Sequence, residues 1–360
     1  MQCRRARTAG VHATGGGGMG ERSRAVTIAD VAAKAGVSQA SVSRVLNGRQ
    51  SVDPVIVRSV QSAIASLGYT PSLAARNLVH GRNDTIAMVV PDLENPLFQG
   101  ILKGLSLAAA GDRYRVLVAD TAEQVDDEEA VAIEARQRCD ALVLCAPRMP
   151  EERLRRLVER VAPVVVVNRP LPGADVPIVG VDYVRGIRDL VEHLRGLGHE
   201  RIAYVSGPAS SASNAERLRG VEEALAADPG VRIETIPGGS RLDDGYAVAE
   251  SVLDARRDGA TGVIAFNDLV ALGLMTRLRE LGVGVPSELS IAGFDDVPMA
   301  RFATPRLTSM SVPRAEMGAQ AWARLRTLIA GGPIEHTVLY RPRLEAREST
   351  APPGAAGSPE

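Results

Sequence analysis

The sequence predicts an N-terminal all-α helix-turn-helix head and an α/β body of two Rossmann-like lobes. Three short helical patterns lie within residues 27–69, and eight apolar, strand-like runs alternate with helical patterns from Thr85 onward. Charge divides the chain in the same way, because residues 1–83 carry 11 Lys and Arg against 3 Asp and Glu while the whole chain has a net charge of −1. A basic head on an acidic body indicates a polyanionic partner at one end only.

Each helical pattern of the head has its own start and stop signals. Thr27, with Asp30 three residues later, forms an acidic variant of the capping box, and Gly36 ends the first helix. Ser38 caps the second helix, and Asp53 followed by proline opens the third. The inner stripe of the second helix consists of Val42, Val45 and Leu46.

The outer face of the second helix carries residues that suit contact with DNA. In a helix-turn-helix this helix enters the major groove. Arg44 can form a forked contact with a guanine and Gln39 with an adenine, and Ser38, Ser43 and Asn47 are short donors suited to phosphates. The alternative is a small helical bundle whose polar face is only solvated.

The segment from TIADVAAKAGVSQASVSRVLNG through LGYTP to NDTIAMVVPDLENPLF resembles the opening of the LacI/GalR family of bacterial transcription regulators. The resemblance implies that residues 72–83 form a hinge helix that pairs with its counterpart in the DNA minor groove. Leu78 matches the family's wedging leucine and Ala75 the small residue one turn earlier; the alternative is a plain interdomain linker. The predicted DNA-binding residues are Thr27, Ser38, Gln39, Ala40, Ser43, Arg44, Asn47, Ala75 and Leu78.

Continuous apolar runs in the body predict parallel strands that are covered on both faces. The pattern is interrupted around residues 170–185, so we expect two groups of four strands and a ligand cleft between two lobes. The predicted strands are residues 85–90, 115–120, 141–146, 163–168, 201–206, 231–236, 262–267 and 289–294.

Polar residues cluster where these strands end. Carboxylates, amides, one arginine and one aromatic ring suit a polyol ligand. The resemblance extends over the body through GHERIAYVSGPASS, AFND and AGFDD, and it implies a periplasmic-binding-protein-like fold in which Arg217 and Asp295 bind an effector. We expect Asp268 and Asp296 to cap helices and Tyr246 to pack against the protein. The predicted effector-binding residues are Asn95, Phe98, Asn168, Ser213, Arg217, Asn267 and Asp295.

Other classes of protein are disfavoured by what the sequence lacks. It has no GxGxxG between strand and helix, no GxxxxGK[ST], no HExxH and no GxSxG, so we expect no enzyme. Its three cysteines have neither disulfide-scaffold nor CxxC spacing, and we expect no metal or cofactor. A secreted sugar-binding protein would have a signal peptide and no basic head, whereas this chain shows the reverse. No apolar run is long enough to cross a membrane.

The resulting hypothesis is a cytoplasmic, homodimeric repressor of palindromic operators, controlled by a small-molecule effector. A sugar is the default effector, while a purine, a phosphorylated sugar or a protein corepressor stays open, as do activation and a tetrameric state. We expect a disordered tail at 1–24, the DNA-binding domain at 25–71, the hinge at 72–83, the body at 84–346 and a second disordered tail at 347–360.

Overall fold

The computed structural model of the chain describes residues 26–46, 52–69, 83–333 and 337–354. The chain divides into two compact units, Met1–Gly81 and Arg82–Glu360, which we call the head and the body. The predicted DNA contacts at Asn47, Ala75 and Leu78 lie outside the described residues, as does most of the predicted hinge.

The described part of the head contains three helices, α1 (Ile28–Ala35), α2 (Gln39–Leu46) and α3 (Pro54–Leu67). The predicted capping box at the start of α1 is confirmed, because Thr27 Oγ1 accepts from the backbone N–H of Asp30 and the Asp30 carboxylate accepts from that of Thr27 at 2.8 Å. Two glycine stops are confirmed as well. Gly36 ends α1 at φ 68° and Gly68 ends α3 at φ 60°, a left-handed conformation that costs glycine little.

The two remaining helix starts also follow the sequence. Ser38 Oγ accepts from the backbone N–H three residues on at 3.2 Å, and the Asp53 carboxylate accepts from Val55 N at 2.8 Å. Leu46 differs from the prediction, since it is 36% exposed rather than part of the inner stripe. It is the last residue of α2. The core of the head is Val31, Ala32, Val42, Val60, Ala63 and Tyr69.

The described part of the body contains two six-stranded sheets, each the centre of one lobe. The lobe 1 sheet has the order β11-β5-β4-β3-β1-β2 and the lobe 2 sheet the order β12-β10-β9-β8-β6-β7. The strand pairs are parallel except for β10 with β12. The strands are β1 (Thr85–Val90), β2 (Arg115–Asp120), β3 (Ala141–Cys145), β4 (Val164–Val167), β5 (Ile178–Val181), β6 (Arg201–Ser206), β7 (Arg232–Pro237), β8 (Gly262–Ala265), β9 (Ser290–Asp295), β10 (Thr308–Ser311), β11 (Val338–Tyr340) and β12 (Arg343–Glu345).

Helices cover the faces of these sheets, as the predicted βαβ units require. A 3₁₀ turn at Pro298–Arg301 follows β9. The helices of the body are α4 (Pro96–Gly111), α5 (Glu128–Arg138), α6 (Glu151–Arg160), α7 (Tyr183–Gly196), α8 (Ala212–Ala227), α9 (Leu242–Ala247), α10 (Ala249–Arg257), α11 (Asp268–Glu280) and α12 (Arg314–Ile329).

The prediction of four strands in each lobe is wrong. β5 lies inside the stretch at 170–185 that was taken as the break, and β10, β11 and β12 were not predicted. β10 (TSMS) is largely polar, and β11 and β12 are only three residues long. β5 (IVGV) is apolar and buried, and it was missed because it follows the prolines and glycine that were taken as the break. Because of these strands the chain passes between the lobes three times, after β5, after β10 and after β11.

Two further expectations for the body are also corrected. β2 and β7 are edge strands with one neighbour each, and neither is covered on both faces, because Leu117 in β2 is 49% exposed and only Ile236 in β7 is buried. The predicted tail from residue 347 is wrong for its first residues. Ser349 is fully buried, and its Oγ accepts from Thr308 N at 2.8 Å and donates to the Ile291 carbonyl at 2.6 Å. These bonds attach residue 349 to β10 and β9, which are inner strands of the lobe 2 sheet.

Candidate functional site

The outward face of α2 presents the residues predicted to contact DNA. Gln39, Ala40 and Arg44 are exposed and Ser43 is half-buried. Arg44 Nε donates to the Ala40 carbonyl at 3.3 Å, which holds the guanidinium close to the helix. DNA contact by these residues stays a prediction.

Two of the predicted DNA-contacting hydroxyls also cap helices. The Thr27 hydroxyl lies 2.7 Å from the Asp30 carboxylate, and the Ser38 hydroxyl lies 3.0 Å from that of Ser41. Both residues are exposed at the start of a helix, where backbone N–H groups favour anions such as phosphates. Capping and phosphate contact are therefore compatible at Ser38, whereas the Thr27 hydroxyl already donates to the Asp30 carboxylate.

The seven predicted effector-binding residues line a single cavity between the lobes, the cleft cavity. Asn95 and Phe98 stand at the start of α4, Asn168 follows β4, and Asp295 ends β9. Parallel strands end at the same edge of their sheet, so these side chains meet where open α/β folds bind ligands. The other three are Ser213 and Arg217 on α8 and Asn267 at the start of α11.

An arginine–aspartate pair lies at the centre of the cleft cavity. Arg217 Nη2 is 3.7 Å from Asp295 Oδ1, and both side chains are at most 3% exposed. Arg217 Nη1 donates to the Ser213 carbonyl at 3.1 Å. The guanidinium carbon lies 4.0 to 4.5 Å from the centroids of three aromatic rings, a distance typical of cation–π contacts. Those rings belong to Tyr183, Phe266 and Phe294.

Four buried polar atoms in this cavity have no hydrogen-bond partner among the residues that the structure describes. They are Nδ2 and Oδ1 of Asn168, Nε of Arg217 and Oδ1 of Asp295. Leaving a buried donor or acceptor unpaired costs about 1–3 kcal/mol, and folded proteins contain few such groups. Several of them facing one cavity are the arrangement expected of a site that binds a polar ligand.

The electrostatics of the cavity centre on Asp295. Burial raises the pKa of Asp295 to about 7, although the nearby charges of Arg217 and Arg314 oppose the shift. A ligand hydroxyl that donates to the carboxylate would favour its charged form. The cavity is small, about 20 Å³, which is room for about one water molecule, so the cleft is closed in this structure.

Sequence reasoning missed four polar or aromatic residues that line the cleft cavity, namely Arg148, Tyr183, Ser240 and Phe266. Arg148 Nε and Nη2 donate to the Glu123 carboxylate at 2.9 and 3.0 Å. Ser240 lies in the loop after β7, and its carbonyl accepts from Asn267 Nδ2 at 2.9 Å. The position of Phe266, directly before Asn267 at a strand end, was a usable signal.

Two predicted helix caps are wrong. Asn267 caps α11, because its Oδ1 accepts from Val270 N at 2.9 Å. Asp268 is instead fully buried and accepts from Ser309 Oγ at 2.6 Å and from Val297 N at 2.7 Å.

Asp296 is the second residue that was wrongly predicted to cap a helix. It forms ion pairs with Arg301 and Arg347 instead. Tyr246 lies outside the cleft cavity, and its hydroxyl donates to Glu280 at 2.5 Å.

Comparison with known proteins finds a matching family model for the head and another for the body. Residues 27–72 match the family model of bacterial regulatory proteins of the lacI family, and residues 191–350 match that of the periplasmic binding protein-like domain. The HTH-type transcriptional regulator GalS of Salmonella typhimurium is 34% identical over 330 residues, 91% of this chain and 97% of the relative.

Two solved structures resemble the whole fold. The CelR–cellobiose complex of a transcriptional regulator has a TM-score of 0.67 at 30% identity, over 90% of this chain and 99% of the other. The lac repressor dimer bound to operator and the anti-inducer ONPF has a TM-score of 0.80 at 25% identity, over 91% of this chain and 100% of the other. Among the described residues, no helix is long and apolar enough to span a membrane and no cluster of side chains could hold a metal ion.

Proposed function

This chain belongs to the LacI family of bacterial transcriptional regulators, and we propose that it is a repressor whose binding to a palindromic operator is controlled by a sugar in the cleft cavity. The observation that carries the proposal is the group of unpartnered buried polar atoms on Asn168, Arg217 and Asp295. A regulator of this kind acts on chromosomal DNA, so we propose the cytoplasm as its location.

The chemistry of the cavity favours a sugar or a related polyol. Amide, carboxylate and guanidinium groups form directional hydrogen bonds to hydroxyls, and the rings of Phe98 and Phe266 offer flat apolar surfaces to a sugar face. Each arginine that lines the cleft cavity has an acidic partner, since Arg217 lies beside Asp295 and Arg148 beside Glu123. Among the described residues that line this cavity, a phosphorylated ligand would find no arginine or lysine without an acidic partner to bind its phosphate.

We propose a homodimer, because two recognition helices on a two-fold axis fit two half-sites of a palindrome. Exposed apolar side chains on both lobes support this. On lobe 1, Leu107 of α4 is 68% exposed and Leu117 of β2 is 49% exposed. On lobe 2, Met299 is 41% exposed and Phe302 is 84% exposed. Burial of such side chains against a second copy would supply the hydrophobic stabilisation that a dimer requires.

Control by the effector requires two states of the body. A closed cleft admits a sugar only after the lobes separate, and the three passages of the chain between the lobes are the places where that motion can occur. The sugar shifts the equilibrium only by its different affinity for the two states. We propose that this shift decides whether the paired hinges can form on DNA, with relief of repression as the outcome.

The experiment that tests this proposal combines a thermal-shift screen of sugars with gel shifts on the promoter region of the protein's own gene. We expect one sugar to raise the melting temperature and to release the wild-type protein from the operator. Arg217→Ala should retain operator binding and lose the response, whereas Arg257→Ala, a change at an exposed ion pair, should respond normally. A normal response from Arg217→Ala would refute the assignment of the cleft.

A further inference from the structure

We propose that the effector is a neutral sugar of at least two units, one bound in the cleft cavity once the lobes have separated and the next in an adjoining cavity. This inference rests on the proposed sugar-controlled function and extends it to the size and charge of the ligand. The adjoining cavity, here the outer cavity, lies between the loop that joins β4 to β5 and the starts of α7 and α8. Of the seven predicted effector-binding residues, only Asn168 and Ser213 line it.

The two cavities adjoin each other, because Asn168, Tyr183 and Ser213 line both of them. The outer cavity has a volume of about 460 Å³, against about 20 Å³ for the cleft cavity. Ligand pockets in proteins commonly measure about 300–1,000 Å³. Most of the space available beside the unpartnered polar atoms is therefore in the outer cavity.

Asn168 links the two cavities chemically. It is 4% exposed, and both atoms of its side-chain amide lack a hydrogen-bond partner in the described structure. Its backbone has φ 54°, a left-handed conformation that few residues other than glycine and asparagine adopt. One amide group can accept from one sugar hydroxyl and donate to another, so a ligand that satisfies Asn168 can have units on both sides of it.

The charges around the outer cavity favour an uncharged ligand. Its lining includes two cations, Arg169 and Arg219, and two anions, Asp182 and Glu216. Arg219 lies 3.1 Å from Glu216, so that cation is already matched. A phosphate or carboxylate group would meet as much negative as positive charge here. Hydroxyl groups can instead donate to the carboxylates and accept from the guanidinium groups.

The test compares sugars of increasing length on the full-length protein by isothermal titration calorimetry. The probes are glucose with cellobiose and maltose, and galactose with lactose and melibiose. Glu216→Trp should fill the outer cavity. Arg219→Trp should fill it as well, and because the Arg219 side chain is 58% exposed, this second variant serves if the first one misfolds. Glu223→Trp is the matched control, because Glu223 is on the same helix, pairs with Arg188 at 3.2 Å and does not line either cavity.

We expect one disaccharide to bind wild-type protein at least about ten-fold more tightly than its monosaccharide. Both filling variants should lose that advantage while the monosaccharide Kd changes less than about two-fold, and Glu223→Trp should change neither value. A monosaccharide that binds as tightly as its disaccharides, or filling variants that leave disaccharide binding intact, would overturn this inference alone. Absence of binding by every sugar would overturn the proposed sugar effector and this inference with it.

Discussion

Replacing Asp295 by asparagine should stabilise the ligand-free protein and remove its response to the effector. The pKa of Asp295 rises from 3.8 to about 7 on folding, mainly because of burial. A carboxyl whose pKa is raised in the folded state contributes stability that is complete below its unfolded pKa. That contribution is lost as the pH rises from about 4 to about 7. A neutral asparagine of the same shape avoids the loss.

The magnitude follows from the shift. Each pKa unit corresponds to about 1.36 kcal/mol, so a shift of about three units makes the wild-type body less stable than Asp295→Asn by up to about 4 kcal/mol at pH 7 to 8. For a unit of this size that difference raises the melting temperature by several degrees. The advantage should shrink steadily below pH 7 and vanish near pH 4, where both side chains are neutral.

The assay is chemical or thermal denaturation of both proteins, without sugar, at pH values from 4 to 8. Asp296→Asn is the adjacent control with the opposite sign. Although burial raises it, the pKa of Asp296 is lowered overall by hydrogen bonds and charges from Arg301 and Arg347. That variant should therefore be less stable than wild type at pH 7. A loss of stability in Asp295→Asn that grows between pH 6 and pH 8 would refute the reasoning, because the carboxylate would then be stabilising.

Three further predictions concern ligand and DNA binding. Effector affinity should fall by about ten-fold from pH 8 to pH 6 in calorimetric titrations, because protonation of Asp295 removes a charged acceptor; a flat profile would contradict this, and Asp295→Asn should bind the effector weakly at both pH values. Arg44→Ala should cost about 1–3 kcal/mol and relax preference at one operator base; an equal loss on random DNA would mean that Arg44 contacts only phosphate. Operator affinity should fall steeply with salt as counterions are released, and an insensitive affinity would exclude a phosphate-binding head.

Local signals explain why the head could be predicted closely from its sequence. The capping box at Thr27, the glycine stop at Gly36 and the cap at Asp53 each depend on residues within a few positions of one another. Such interactions form in any context that permits a helix. Leu46 was misassigned because burial at a helix end depends on what packs beyond it, which periodicity does not specify.

Topology explains why the predicted effector residues meet in one cavity. Parallel strands end at one edge of their own sheet, which brings Asn267 and Asp295 together in lobe 2, and two lobes that face each other across a cleft bring Asn168 of lobe 1 to them. Arg148 and Ser240 could not, because they reach the cavity from loops whose course is set by contacts distant in sequence.

The strands and caps that were missed have similarly physical reasons. Strands of three or four residues, such as β11 and β12, contain too few residues to show a period. Asn267 and Asp268 are both good capping residues by type. Asp268 accepts instead from Ser309 and Val297, which are distant in sequence, and Asn267 caps the helix.

The central claim is that one conformational equilibrium couples the cleft cavity to operator binding, and thermodynamic linkage tests it most directly. The measurement is the Kd of the active sugar for the free protein and for the protein saturated with operator duplex. The ratio of these two values must equal the factor by which the same sugar, at saturation, changes the Kd for the operator. We predict equal factors of at least about ten. A sugar that binds free and operator-bound protein equally well would contradict the account.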